Sequence, residues 1–463
     1  MERLSGQDAT FLYTETSRTP FEIGSCLILD TRGQSAGEAQ RLRLRDQLAE
    51  RLHLAPRMRQ RVHRVPLDLH HPIWADDDHF DLDYHVRRVD APVPGGPAEL
   101  RASIDEILSR SLDHDRPLWE AYLIEGLAEG RSALFIKTHH AAYDGLSGFQ
   151  VLTTLVDLEP EPGPIPAPAQ SWAPETSPGP LSLLLGAGMD LAKEPLAVPR
   201  GVGRLVRDLL ATAVTSRSPV EVLGASMAPP SPFNTRLSAQ RSVRFFELPL
   251  ADVMAVKDAA GVKLNDVALS MIGGALRRYL DRHQHPVSPS LITYMPVTQR
   301  SGGEGLGNHT SVVSAELGTD LDDPVARLES LAAQTRAAKE RAGSSSPPLI
   351  LDISAVTGPA MGSFLERLAV ATRTTELLRL AGNLVVSNVA NVPFALYVLG
   401  AAVESVYPVG PISDGVALNF TLISYQDRIG FSMLTDPTVV SDADELVADC
   451  LEAWDELRSA VVG

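Results

Sequence analysis

One stretch limits the folds open to this chain more than any other. Between residues 160 and 180, proline alternates with small residues at Pro160, Pro162, Pro164, Pro166 and Pro168, and Pro174, Pro178 and Pro180 follow. Proline gives no amide hydrogen to a helix or a ladder, so such a run stays extended and semi-rigid, with no packed core of its own. The chain therefore divides there. Its 463 residues are long for one core and suit two. The expected partition is an N-terminal unit over 1–160, a proline-rich connector with amphipathic helices over 161–235, and a C-terminal unit over 236–463.

Both flanks read as α/β. Before the prolines, Ile23–Leu29, Ala121–Ile124 and Ala133–Thr138 are apolar runs of strand length. Leu44, Leu48 and Leu52 form one helical stripe, and Leu100, Ile104, Ile107, Leu108 and Leu112 another. After them, Ser242–Leu248 reads as a strand, and Leu264 to Tyr279 carries apolar residues at helical spacing. Strands are expected at Leu291–Val297, Ser311–Leu317, Leu384–Val389, Ala417–Tyr425 and Arg428–Leu434. A last helix carries Leu446, Cys450, Trp454 and Leu457.

The formal net charge of -17 argues against nucleic acid as a partner, because phosphate binding needs a basic field. Basic clusters at Arg41, Arg43 and Arg45, and at Arg57, Arg59, Arg61 and Arg64, read as a solvated face or as a patch for anionic groups. The acidic loop Asp76–Asp81 with His79 matches no ordered metal-ligand pattern, and no metal is expected. Two cysteines, Cys26 and Cys450, imply no disulfide framework and suit a reducing compartment. The N-terminus does not read as a signal peptide, and no uncharged apolar run is long enough to span a bilayer. A cytoplasmic location is expected. Residues 181–214 carry apolar positions flanked by Arg200, Arg204 and Arg207, which suits either a lipid surface or the protein's own surface.

The chemistry concentrates in His139-His140-Ala141-Ala142-Tyr143-Asp144-Gly145, which follows the strand at 133–138 and precedes a segment able to start a helix. Ligand sites in α/β proteins sit at strand ends of this kind. Three readings compete. A neutral imidazole can take a proton from an alcohol that attacks a thioester, with no nucleophile of the protein's own. No Gly-x-Ser-x-Gly elbow is present, and both cysteines lie in apolar patterns. Alternatively, two histidines and Asp144 bind a metal, although adjacent side chains diverge. Lastly, the histidines are structural.

HHAAYDG matches the HHxxxDG signature of CoA-dependent acyltransferases. Leu4-Ser5-Gly6-Gln7-Asp8-Ala9-Thr10-Phe11-Leu12, Pro117-Leu118-Trp119-Glu120, Asn265-Asp266-Val267, Gly307-Asn308 and Ser387-Asn388-Val389 further resemble landmarks of the bacterial wax ester synthase/diacylglycerol acyltransferase family. These span nearly the whole chain. The resemblance implies two chloramphenicol-acetyltransferase-like α/β subdomains with mixed sheets, joined by a long linker, with a tunnel between them. It implies acyl-CoA as co-substrate, no cofactor, and diacylglycerol or a long-chain alcohol as acceptor, met at a membrane or lipid-droplet surface. His140 resembles the base, His139 holds the loop, and Asp144 is structural. Gly145 leaves room for the pantetheine arm, with Asn308, Ser387 and Asn388 along the same path. Asn265 either polarises the thioester carbonyl or caps its helix. After Val389 the family has Pro-Gly where this chain has Ala390-Asn391, which leaves the acceptor open. A carrier-bound or secondary-metabolite acceptor, or acyl-CoA binding without catalysis, are the alternatives.

Overall fold

The computed structural model describes residues 2–143, 154–168, 170–193, 228–298, 310–342, 363–364, 367–368, 371, 382–389 and 391–463. In chain order the first part runs β1 (Glu2–Arg3), α1 (Gly6–Thr14), β2 (Glu22–Asp30), α2 (Glu38–Arg51), β3 (Gln60–His63), β4 (Ile73–Asp76), the one-turn helix α3 (Leu82–His85), β5 (Val86–Asp90), α4 (Pro97–Leu108), β6 (Trp119–Leu127) and β7 (Arg131–His139). Helix α5 (Pro180–Lys193) follows the prolines. The second part runs β8 (Ser242–Pro249), α6 (Leu250–Ala260), α7 (Leu264–Arg282), β9 (Ile292–Thr298), β10 (Thr310–Glu316), α8 (Pro324–Ala342), β11 (Leu384–Asn388), β12 (Tyr397–Val398), β13 (Ala401–Val409), β14 (Leu418–Tyr425), β15 (Arg428–Thr435) and α9 (Ala443–Val462).

Two six-stranded sheets result, ordered β12-β13-β2-β7-β6-β5 and β10-β9-β11-β14-β15-β8, beside a small β1-β4-β3 sheet. Both large sheets are mixed. In the first, β5 and β6 run parallel; in the second, β11 runs parallel to β9 and to β14. The remaining pairs are antiparallel. The molecule is an α/β protein of two lobes.

The partition at 160 and 236 does not hold strand by strand. β12 and β13 come from the C-terminal part but complete the first sheet, with Tyr407 opposite Cys26 and Val409 opposite Gly24. They run Tyr-Val and Ala-Ala-Val-Glu-Ser-Val-Tyr-Pro-Val, a mixture with no strict alternation. This crossing ties the lobes. The Gly430 position on β15 shows how closely: a Cβ there would lie 2.4 Å from the Val406 carbonyl oxygen. Further ties come from α4. The Asp105 carboxylate takes the Val243 amide at 2.6 Å, and burial pushes it up to about 6.

Each lobe has its own core. Leu27, Leu29, Leu134, Ile136, Trp119 and Leu123 pack with Leu44 and Leu48 of α2 in the first. In the second, α7 buries Val267, Met271, Ile272 and Leu276 against Phe420, Phe431 and α9. Helix α7 needs glycine at 273, because a Cβ there would meet the Leu317 carbonyl oxygen at 2.1 Å. Helix α8 and the small sheet were not expected from the sequence. Apolar residues of α8 such as Leu328 and Leu331 are separated by charged and small ones, which blurs the stripe.

The arginine clusters are tied into the fold. Arg41 bonds Glu38 and Asp83; Arg57 bonds Glu2; Arg59 lies 4.6 Å over the Trp172 ring. The acidic loop serves as an anchor: Ser177 donates to Asp78 at 2.9 Å, which fastens the proline-rich strap to the first lobe. Helix α5 turns Leu183 and Ala187 inwards and leaves Leu181, Leu185 and Met189 exposed. The basic amphipathic stretch at 202–213 lies outside the described residues.

Candidate active site

β7 lies between β2 and β6, so its backbone is held on both sides up to its last residue. The His139 amide donates to the Leu118 carbonyl and the His140 amide to the Phe21 carbonyl, at 3.1 and 3.0 Å. Phe21 sits at φ 47, a conformation costly for an aromatic residue, so its carbonyl is held there by its surroundings. The chain then turns back, with the Ala142 amide donating to the His139 carbonyl at 2.9 Å.

The two histidines part company at this turn. His139 points into the fold and is fully buried. Its Nδ1 accepts the Ala141 amide at 3.0 Å. Burial, and then the neighbouring His114 and His140, hold its pKa well below the usual histidine range, so the ring stays neutral. His140 is half-buried and stacks on Phe11, ring centres 4.3 Å apart. Phe11 belongs to α1, whose start is capped by Ser5 accepting the Asp8 amide at 3.1 Å. The N-terminal landmark thus supplies the platform for the second histidine.

Below the turn lies a charged cluster that sequence reasoning missed. Glu22, opposite His139 in the ladder, pairs with Lys137 at 2.7 Å. Lys137 is fully buried and donates to the Ile107 carbonyl at 3.0 Å, at the end of α4. Burial pushes Glu22 up to about 7, against the pull of Lys137. A lysine inside the apolar run 133–138 was the available signal, but its partner required the β2–β7 register. Glu15 and His114, bonded at 3.0 Å, lie beside His139.

The Pro117-Leu118-Trp119-Glu120 landmark acts as a support. Trp119 is fully buried, donates its ring N–H to the Met58 carbonyl at 2.8 Å and stacks on His85 at 4.5 Å. Glu120 pairs with Arg87 at 2.9 Å.

In the second lobe, Asn265 does not cap α7. Asp266 does, accepting the Lys263 amide at 2.9 Å, because the third helical residue is the one placed to reach back. Asn265 is exposed, and its side-chain oxygen accepts from the Asn388 amide at the end of β11. Two landmarks far apart in sequence are thereby joined. Ser387 is half-buried beside them. Val389 packs against the apolar cluster that also takes Ala142 and Tyr143, so this end of β11 and the histidine turn share one core. Asp144, Gly145, Asn308 and Ala390 lie outside the described residues.

A family model for the wax ester synthase/diacylglycerol acyltransferase catalytic domain matches residues 4–268, and one for the WS/DGAT C-terminal domain matches 306–458. The chain belongs to the wax ester synthase/diacylglycerol acyltransferase family. It is therefore an acyltransferase, with an acyl donor and an acyl acceptor as substrates. It is similar to a protein of Mycobacterium tuberculosis provisionally named diacylglycerol O-acyltransferase, 33% identical over 460 residues, covering 99% of this chain and 90% of that one. Among solved structures it resembles the wax ester synthase/diacylglycerol acyltransferase of Marinobacter aquaeolei, with TM-score 0.70, 25% identity and 99% of each chain covered. The fold is shared with a trichothecene 15-O-acetyltransferase from Fusarium sporotrichioides, with TM-score 0.60, 12% identity and coverage of 98% of this chain and 94% of that one.

Proposed function

We propose that this acyltransferase moves a long-chain fatty acyl group from acyl-CoA to the hydroxyl of diacylglycerol or a long-chain alcohol, with His140 as general base and no bound cofactor. The observation that carries the base assignment is the division of labour at the turn. His139 is sealed and engaged with the Ala141 amide, while His140 is partly open on the face of Phe11. A base must meet the acceptor's hydroxyl, and of the two rings His139 is sealed while His140 is half-buried.

His140 takes the hydroxyl proton as the acceptor oxygen attacks the thioester carbon. The tetrahedral intermediate collapses with cleavage of the carbon–sulfur bond. The departing thiolate takes the proton back from the imidazolium, leaving ester and free CoA. Asn265, whose side-chain oxygen accepts from Asn388, keeps its amide N–H for the developing oxyanion in this reading. Donor and acceptor meet in a tunnel between the lobes; the resemblance assigns Gly145 and Asn308 to its pantetheine side and Asp144 to the loop, all three outside the described residues.

Substrates this apolar reach the enzyme from a lipid surface. No helix among the described residues is long and apolar enough to cross a membrane. The exposed Leu181, Leu185 and Met189 of α5 support contact from the side of a membrane or droplet. The testing experiment measures thiol release and ester product from palmitoyl-CoA against a panel of diacylglycerols, long-chain alcohols and carrier-bound hydroxyls. Triacylglycerol or wax ester as the main product supports the assignment; product only with a carrier-bound acceptor overturns it.

A further inference from the structure

Two phenylalanines hold His140, each in its own way. The Phe11 ring lies against the face of the imidazole, with ring centres 4.3 Å apart and planes at 24°. The Phe21 ring meets Phe11 at 5.5 Å and 62°, an edge contact, and the Phe21 carbonyl accepts the His140 amide at 3.0 Å. Phe21 thereby fixes the stack twice, through the backbone of one member and the ring of the other. Phe11 is half-buried and packs on the cluster of Leu4, Leu12, Leu118 and Ala141. A neutral imidazole stacked on a benzene ring is held mainly by packing. A protonated one is held further, because a cation within about 6 Å of an aromatic ring centre is drawn to the negative face of the ring. The stack therefore favours the charged form of His140 over the neutral one.

We infer that Phe11 is a positioning residue for acyl transfer whose aromatic face stabilises the imidazolium that His140 becomes when it takes the acceptor's proton. The inference rests on the reading of His140 as the base. The O–H bond of the acceptor breaks and an N–H bond forms on the imidazole. The charge so formed lies over the Phe11 face until the departing thiolate takes the proton back. The contact is part of the fold before substrate arrives, so none of it has to be arranged during the reaction. Helix α1, capped by Ser5, holds the Phe11 backbone in place. Glu15, His114 and Arg64, charged or titratable groups at the turn, gather about neutral His139.

The test replaces Phe11 in the full chain by mono-, di- and trifluorophenylalanine, which drain the negative face of the ring while nearly keeping its shape. Single-turnover release of CoA from palmitoyl-CoA with a long-chain alcohol is followed against pH. The plateau rate should fall step by step with fluorine content, by about 3- to 30-fold at the trifluoro ring. The acid limb of the profile should move to lower pH along the same series, because an imidazolium held less firmly loses its proton sooner. Glu15, His114, Arg64 and His139 are the same in every member, so none of them produces a graded shift. Phe11→Leu, which has no aromatic face, should lose at least as much as the trifluoro ring. A plateau rate that stays flat across the series overturns the proposal, and so does a fall in rate with the acid limb unmoved. Phe11→Leu at the wild-type rate overturns it too; if that variant fails to fold, the fluorine series decides alone. The base assignment fails separately, if His140→Ala retains turnover; lost turnover in His140→Ala with a flat fluorine series sinks only the role of Phe11.

Discussion

Lys137 offers a sharp test of how the site is held. Its fully buried ammonium sits 2.7 Å from Glu22 and also caps α4 through the Ile107 and Arg110 carbonyls. Lys137→Met removes the cation and keeps the bulk of the stem. Breaking one side of a buried pair costs about 3 to 5 kcal/mol. The pH dependence is more telling than the size. Glu22 titrates near 7 in the folded protein, raised from 4.5 by burial, so the native state holds a proton that the unfolded chain gives up. The contribution of this group to stability therefore falls as pH rises through that window and levels off above about 7. Without Lys137, only the Leu112 amide opposes the desolvation, and the fall continues. The gap between variant and wild type should widen by about 1.4 kcal/mol per pH unit above neutrality. Urea unfolding from about pH 6 to about pH 9 reads this directly. Lys137→Met combined with Glu22→Gln should remove the widening. Parallel profiles for Lys137→Met and wild type would refute the assignment of Glu22 as the titrating partner.

Gly430→Ala should cost about 1 to 3 kcal/mol, because the new methyl meets the Val406 carbonyl where the lobes cross; chemical denaturation that shows no loss would mean the strands separate freely there. His85, buried and held down to about 4, refuses a proton that the unfolded chain accepts near 6.5, so stability drains away as pH falls between those values. His85→Gln should lessen the loss between about pH 7 and pH 5 by about 2 kcal/mol, read from urea midpoints. Asn265→Ala and Asn388→Ala should each lower kcat, and their combination should fall short of the product of the two by a coupling of about 1 kcal/mol in a double-mutant cycle, since the second amide only orients the first.

Much of this architecture could be read from residue patterns. The strand that ends in His139, the helix over Leu264–Arg282 and the parting of the two histidines all follow from periodicity. What escaped was long-range. β13 crosses to the other lobe, and no local pattern says where a strand pairs. Glu22 with Lys137, and Glu15 with His114, are 115 and 99 residues apart, which is why neither pair could be drawn beforehand. At Asn265 two roles were open, and the register of the helix start decided it: the neighbour Asp266 does the capping and frees Asn265 for Asn388.

The central claim is that one half-open imidazole removes the acceptor's proton. Single-turnover release of CoA from palmitoyl-CoA with a long-chain alcohol, in wild type and His140→Ala, tests it most directly. A positioned base contributes about 100- to 10,000-fold, so the variant should fall by that factor while its unfolding curve stays close to wild type. Release at the wild-type rate by a folded His140→Ala protein would contradict it.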